Sequence, residues 1–391
     1  MTKDIKVQAK ADYIASLSHA SPLAAIEELV WNALDADARE IKIDIIQNAL
    51  GAVEAIRVSD DGAGVDVGRI ESTFGGLGGS WKKDRATTIS LRRRLHGRHG
   101  RGRFKAFALG AHVEWRTTRA TVAAGGPEAS ASLSSFVISG DLQDPGHFKV
   151  EETTPGFASG TEVYVTNVRP SADSLTNADV VVPALAAKFA LYLKAYPNVH
   201  VYYSGIPVTP VIVRKAVTDY RLQLPSGAEA KLEVIEWRRR FVGSGKLVFC
   251  GKDGFALHEQ PAGVRPGAAF SFTAYVISPR FAELNAENML VMDELNPETR
   301  AYLDAARKTL RDHFRVRAAE ADSSRVDEWI REGSYPFAKD DTSDARRKFD
   351  AAVEDMRAHL DGFDAYPARE RKYLFGLLNP AQEDKSDGRA V

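Results

Sequence analysis

One short stretch constrains the fold of this chain more than any other. From Pro22 to Asp37 it reads Pro-Leu-Ala-Ala-Ile-Glu-Glu-Leu-Val-Trp-Asn-Ala-Leu-Asp-Ala-Asp. Ser21 is suited to the N-cap and Pro22 to the first helical position. At about 100° per residue, Ile26, Leu29, Val30, Ala33 and Leu34 fall on one side, while Glu28, Asn32 and Asp35 gather on the other. One face must therefore be covered by another layer, and the other is a separate polar stripe. Taken alone, that stripe is also what an ordinary wet helix face would show.

The covering layer is predicted from the strands downstream of this helix. Strand patterns occur at 40–46 and 53–59, then near 111–118, 131–139 and 161–167, and a helix is predicted from Pro183 to Ala195. Few helices and several sequential strands imply an α+β sandwich with helices on one sheet face. A second strand-rich block is expected to open at Val199-His200-Val201-Tyr202-Tyr203, with candidates at 210–215, 229–236, 246–250 and 270–277. From Pro297 to about residue 376 the pattern is helical and charged, ending in a polar tail. At roughly 150 residues per domain, 391 residues fit two or three such units.

The strand Glu54-Ala55-Ile56-Arg57-Val58-Ser59 ends in Asp60-Asp61-Gly62-Ala63-Gly64. Glycines after a carboxylate permit a tight turn and a close backbone approach to something bound, although acidic strand-ending turns are common. Farther on, Gly97, Gly100 and Gly102 precede the apolar run Phe104 to Leu109. Free amides at the start of such a helix suit phosphate, and a flexible Gly/Arg loop is an equal reading of that segment by itself. No G-x-x-x-x-G-K-[ST] occurs in the chain, so ordinary P-loop chemistry is excluded.

The three segments in this order, with Ser159-Gly160-Thr161-Glu162-Val163-Tyr164-Val165 after them, resemble the GHKL ATPase superfamily of gyrase, the ninety-kilodalton heat-shock chaperone, histidine kinases, MutL and the microrchidia proteins. Glu28 and Asn32 match its E-x-x-x-N box and Asp60 to Gly64 its D-x-G-x-G turn. Gly97, Gly100 and Gly102 match its G-x-x-G-x-G loop, and Gly160-Thr161 its Gly-Thr. The likeness covers about residues 20–170 and lies closest in layout to MutL- and microrchidia-type ATPases.

The resemblance implies a two-layer, Bergerat-type α/β sandwich that binds ATP beneath a mobile lid, over residues 1–197. It further implies a transducer-like (S5-like) α/β domain over 198–296 and a helical extension over 297–391. Asp60, expected to be ionised at neutral pH, would accept a hydrogen bond from the adenine amino group. Gly62 and Gly64 would let the backbone pass beside the base, and Thr161 would bond the adenine side directly or through water. Asn32 is the implied Mg²⁺ ligand, the rest of the shell coming from phosphates and water. Glu28 is the implied general base. Asp35 would hold position by hydrogen bonding, either to nucleotide-bound water or to structure. Gly97, Gly100, Arg101, Gly102 and Arg103 would hold the phosphates.

From Lys82 to Lys105 there are ten Lys/Arg (Lys82, Lys83, Arg85, Arg92, Arg93, Arg94, Arg98, Arg101, Arg103, Lys105) against the single acid Asp84. The run would neutralise triphosphate or contact DNA or RNA, and Gly75 to Ser80 reads as its hinge. With a formal charge of −1, any nucleic-acid role rests on such local patches. Another candidate is Arg238-Arg239-Arg240 beside Trp237, although a solvated strand end is the more common reading of such a run. The connection Leu284 to Leu290, before the helix at 297, contains no lysine to match the family's γ-phosphate lysine, and Arg280, Lys246 and Lys252 are the alternative candidates.

Histidine-kinase chemistry is not expected, since the first box begins at Glu28 and His96 and His99 sit in the lid. Cys250 is the only cysteine, and no leader or membrane-spanning run is evident, so a reducing, cytoplasmic setting is expected. The resemblance thus leads to an Mg²⁺-dependent ATPase whose lid closure brings two N-terminal regions together as a homodimer. It would be coupled to nucleic acid through the lid, or to a protein through the C-terminal helices, in a DNA transaction or defence. The alternatives are a chaperone-like or scaffold ATP switch with little hydrolysis and, further off, a protein kinase.

Overall fold

The computed structural model describes residues 20–378 apart from 67, 69, 71–86, 89, 94, 97–101, 123–130, 239–243, 267–269, 288, 292–295 and 361. It divides into two compact units, Met1–Ala306 and Arg307–Val391.

In the first unit, helix α1 (Pro22–Asp35) starts where the sequence marks it, with the Ser21 hydroxyl accepting from the Ala24 amide at 3.2 Å. It ends in a Schellman turn: the Asp37 amide donates to the Leu34 carbonyl and the Ala38 amide to the Ala33 carbonyl, each at 3.1 Å. Asp37 takes the left-handed conformation usually left to glycine, with φ 64°.

An eight-stranded sheet lies against this helix. Its strands are β1 (Glu40–Gln47), β2 (Val53–Asp60), β3 (Gly110–Val122), β4 (Ala131–Asp141), β5 (Asp144–Thr153), β6 (Gly160–Val168), β7 (His200–Tyr203) and β8 (Ile206–Pro207), in the order β5-β4-β3-β6-β2-β1-β7-β8. All neighbours are antiparallel except β1 and β7. The strand expected to open the second block is therefore an edge element of the first sheet, with Ile41 opposite Val201. A parallel neighbour must be reached by a long crossover. Helices α3 (Ala178–Lys188) and α4 (Ala190–Ala195) supply it, which a hydrophobic pattern read strand by strand does not reveal.

The side-chain period of two sorts the sheet into two faces. Ile41, Ile43, Ile56, Val58, Val113, Trp115, Val163 and Val165 are buried against the helices. The opposite face is polar, with Asp44 paired to Arg57 at 2.8 Å and Arg116 bridging Glu114 and Glu162 at 2.7 and 3.1 Å. One covered face and one wet face is the two-layer α+β sandwich anticipated from the sequence.

A second sheet in the same unit has the order β12-β11-β13-β10-β9, from β9 (Arg214–Gln223), β10 (Glu229–Trp237), β11 (Lys246–Cys250), β12 (Ala256–Pro261) and β13 (Ser271–Ile277). The segment expected as strand 210–215 is a helical turn, α5 (Pro210–Val213), leading into β9; Pro210 at its first position favours that start. Helix α3 faces both sheets. Val181, Val182, Leu185 and Ala186 join the first core, and Ala184 and Ala187 join a second with Ile235, Trp237, Val248 and Tyr275. Being apolar all round, it carries no usable amphipathic period, as expected of a helix covered on both sides.

A short helix, α2 (Gly102–Lys105), precedes β3, and α6 (Arg280–Ala286) comes after β13. Helix α7 (Pro297–Arg331) enters the second unit, which continues with α8 (Asp344–His359) and α9 (Ala368–Leu378). That unit closes around its own aromatic cluster of Trp329, Tyr335, Phe349, Phe363 and Phe375, in line with the helical character predicted there. Among the described residues, no helix is long and apolar enough to cross a membrane.

Candidate functional site

Strand register builds the floor of the site. Asp60 lies opposite Thr161 on β6, and Thr161 lies opposite Thr117 on β3. Directly opposed residues share a face, so the three stand in one row on the covered side of the sheet, beyond the last apolar residues Val58, Val163 and Trp115. A carboxylate at the edge of a hydrophobic layer loses much of its hydration. Burial accordingly pushes the Asp60 carboxyl up to about 7, although the amides of Gly62 and Thr161 hydrogen-bond to it and pull the other way. The residue as a whole keeps part of its surface open. The sequence leads one to expect an ionised Asp60 at neutral pH, and desolvation acts against that ionisation.

The turn beyond Asp60 is fixed by crowding within the protein. Gly62 donates to Asp60 Oδ1 at 2.8 Å, and a Cβ there would lie 2.7 Å from the Ala36 carbonyl oxygen. Gly64 has φ +68°, with a Cβ position 2.3 Å from the Thr118 carbonyl oxygen. Gly160 has φ +135° and would place a Cβ 2.0 Å from the Asp60 carbonyl oxygen. The sequence marks these glycines for close approach, and the close approach is first to the chain's own backbone.

Thr161 is buried and its hydroxyl lies 3.3 Å from that of Thr117, which accepts from the Val65 amide at 2.8 Å. Ser159 donates to the Gly62 carbonyl at 2.9 Å. Thr117 belongs to no motif visible in the sequence, and its place is set by register alone.

Helix α1 supplies the wall. Glu28 and Asn32, four residues apart, are both half-buried on its polar stripe. Glu28 Oε2 accepts from Lys105 Nζ of α2 at 2.8 Å. Asp35 is buried and accepts from the His96 amide at 2.7 Å, the structural choice among the roles open to it. Two further carboxylates do similar work: Asp37 accepts from the amides of Ser90 and Leu91 at 2.9 and 3.2 Å, and Asp61 from those of Arg39 and Glu40 at 2.7 and 2.8 Å. The acidic character of this region thus serves largely to hold loop backbone around α1.

The basic run is less uniform than its composition implies. Arg93 is buried at 4% exposure, donates to the Ala38 carbonyl and stacks over Tyr196 at 5.6 Å. It is a structural cation, not one free to meet phosphate. Arg92 is exposed. Gly97, Gly100 and Arg101 lie outside the described residues, as do His99, Lys82, Lys83, Arg85, Arg94, Arg98 and the hinge Gly75 to Ser80. Gly102 and Arg103 open α2. In the second patch Arg238 is exposed, and Arg239 and Arg240 lie outside the described residues.

On the opposite flank of α1, Glu27 and Trp31 line a cavity of about 340 Å³ together with His96, Lys188, Lys246 and Glu259. Glu28, Asn32 and Asp60 take no part in it, so it is distinct from the row of Asp60, Thr161 and Thr117. Burial raises the Glu27 carboxyl, with Lys188 opposing. Although burial acts upward on Glu259 too, Lys188 and Lys246 hold it down at about 2. Lys246 is thereby engaged with Glu259 at 2.9 Å, and Arg280 with Glu298 at 2.9 Å.

Among the described residues, no group of three or more His, Cys, Asp or Glu is arranged to hold a metal ion. The half-buried amide of Asn32 fits a different demand: one neutral oxygen for an Mg²⁺ that takes the rest of its shell from phosphates and water.

Residues 20–129 match the family described as histidine kinase-, DNA gyrase B-, and HSP90-like ATPase. A DNA mismatch repair protein MutL from Desulforudis audaxviator (strain MP104C) is 52% identical over 50 residues, which make up 13% of this chain and 8% of that protein. A crystal structure of the N-terminal domain of a DNA repair protein superposes with a TM-score of 0.44 at 15% identity, over 78% of this chain and 98% of that one.

Proposed function

We propose, from the match of residues 20–129 to the histidine kinase-, DNA gyrase B-, and HSP90-like ATPase family, that the protein binds Mg²⁺-ATP and hydrolyses it slowly to drive a conformational cycle. The observation that carries this reading is the Asp60 carboxyl, desolvated at the end of β2 and held by two amides. A carboxylate has more lone pairs than those two amides occupy, and a buried acceptor of this kind favours a ligand that brings a further donor. The adenine amino group is such a donor, and guanine offers a carbonyl at the equivalent place.

The residues around it divide the work. Thr161 and Thr117 fix the row in which Asp60 stands. Asn32 offers its amide oxygen to the magnesium that accompanies the phosphates and shields their charge. The phosphates would fall to the residues of the glycine motif, Gly97, Gly100, Arg101, Gly102 and Arg103. Glu28 orients a water and takes its proton as the water oxygen bonds to the γ-phosphorus; the bond to the β,γ-bridging oxygen breaks and ADP leaves.

In this reading the eight-stranded sheet with its helices is the ATP-binding region, the five-stranded sheet is the transducer-like region, and residues 297–391 are the helical extension. Lid closure would bring two copies together, and the partner would be DNA, in keeping with the mismatch-repair relative, or a protein docked on the C-terminal helices. The Lys105–Glu28 ion pair favours a second reading as well, in which ATP acts mainly as a clamp with little turnover, because a carboxylate oxygen occupied by an ammonium is not open to a water. Phosphate release from the full chain, with and without DNA, separates the two. DNA-stimulated release that Glu28→Ala abolishes while keeping ATP binding supports hydrolysis. Binding with no release in either condition supports the clamp, and release at the parental rate by Glu28→Ala removes Glu28 as the base.

A further inference from the structure

Lys105 belongs to the basic run of the lid by sequence, yet its ammonium turns inward to the carboxylate of Glu28. The Glu28 side chain keeps 15% exposure and that of Lys105 38%, so the pair stands at the mouth of the site and not in a sealed core. Lys105 is the last residue of α2, whose first residue, Gly102, closes the glycine series. The same short helix therefore carries both the last glycine of that series and this lysine.

A carboxylate oxygen bonded to an ammonium has that lone pair occupied, so it cannot accept from a water until the ammonium leaves. A lysine ammonium is a compact charge on a flexible four-carbon stem, able to exchange one anion for another within reach. A terminal phosphate carries more negative charge than a single carboxylate, so Coulomb attraction favours the exchange once a triphosphate is seated.

We propose that Lys105 is a two-position cation: it rests on Glu28 when the site holds no γ-phosphate and moves to the γ-phosphate when ATP binds, which frees Glu28 for the attacking water. The proposal rests on the ATPase reading of the site. It makes the base available only when the phosphate to be cleaved is present. ADP, lacking that group, leaves the Lys105–Glu28 pair in place.

The test compares the full chain with Lys105→Gln and Lys105→Arg, measuring by calorimetry the affinities for ADP and for the β,γ-imido analogue of ATP, each with magnesium. Lys105→Gln is expected to lose at least tenfold of the preference for the triphosphate while binding ADP within about twofold of the parent. Lys105→Arg is expected to keep most of the preference. Retained ADP binding shows that the variant is folded and its adenine site intact. An unchanged preference in Lys105→Gln overturns the proposal, and so does an equal loss of both nucleotides, which would make Lys105 a structural residue. Failure of the parent chain to bind either nucleotide would overturn the ATPase reading itself, a result distinct from the other two.

Discussion

Asp60 shows how a position in a sheet sets the chemistry of a side chain. Its carboxyl titrates near 7 against an ordinary 3.8 because burial outweighs two amide bonds. Between those values the folded chain holds a proton that the unfolded chain has released, so stability falls as pH rises through this window and levels off above about 7. Adenine binding has the opposite slope, since the ionised carboxyl is the better acceptor for an amino group. The affinity of the parent chain relative to Asp60→Asn should therefore rise from pH 6 to pH 8 with an inflection near 7, as read by nucleotide titration across pH; a flat ratio would argue against contact with Asp60. Gly160→Ala should cost at least about 2 kcal/mol, visible as a lowered melting temperature, because a Cβ there has no room beside the Asp60 carbonyl. Glu28, Asn32, Asp60, Gly62, Gly64 and Thr161 can be named from the sequence because they sit in the short motifs that carry the family resemblance. Lys105, Asp37 and Thr117 are not so marked, since their partners Glu28, Ser90 and Val65 lie 77, 53 and 52 residues away. Only the folded register brings them together.

At the level of elements, α1 organises both the core and the site. Its start and its faces are readable from Ser21, Pro22 and the amphipathic period, whereas its ending is not, because Asp37 stands where glycine is the usual choice. The structure supplies the reason: Asp37 holds the amides of Ser90 and Leu91. Arg93 ties the same loop to the Ala38 carbonyl from the other side. Arg93→Met should therefore lower stability by about 2–4 kcal/mol in denaturant titration, as expected when buried acceptors lose a charged partner. It should leave the salt dependence of any nucleic-acid binding unchanged, since this cation is not available to phosphate. A decrease of one in the salt slope would instead place Arg93 at the nucleic acid. The strands β5 and β12 escape sequence reasoning, and for β5 the cause is solvent. Val150 is 42% exposed and most of β5 is open to water, so neither face carries the apolar alternation by which strands are recognised.

For the molecule as a whole, each of the two units has its own apolar cluster. Trp329→Ala removes the ring that contacts Phe363 and Phe375. It should destabilise residues 307–391 by about 3–5 kcal/mol while ADP affinity changes less than twofold; loss of nucleotide binding would show the units to be energetically inseparable. The sandwich and the helical tail are apparent from sequence. The crossover that returns β7 to the first sheet is hidden by helix α3, whose apolar surface serves two sheets at once. Everything proposed about function depends on the row of Asp60, Thr161 and Thr117 forming an adenine site under α1. Calorimetric titration of magnesium-ATP into the full chain and into Asp60→Asn tests this. Saturable binding that weakens at least tenfold in the variant is expected, whereas no heat in the parent, or equal affinity in both, would show that this row does not bind adenine.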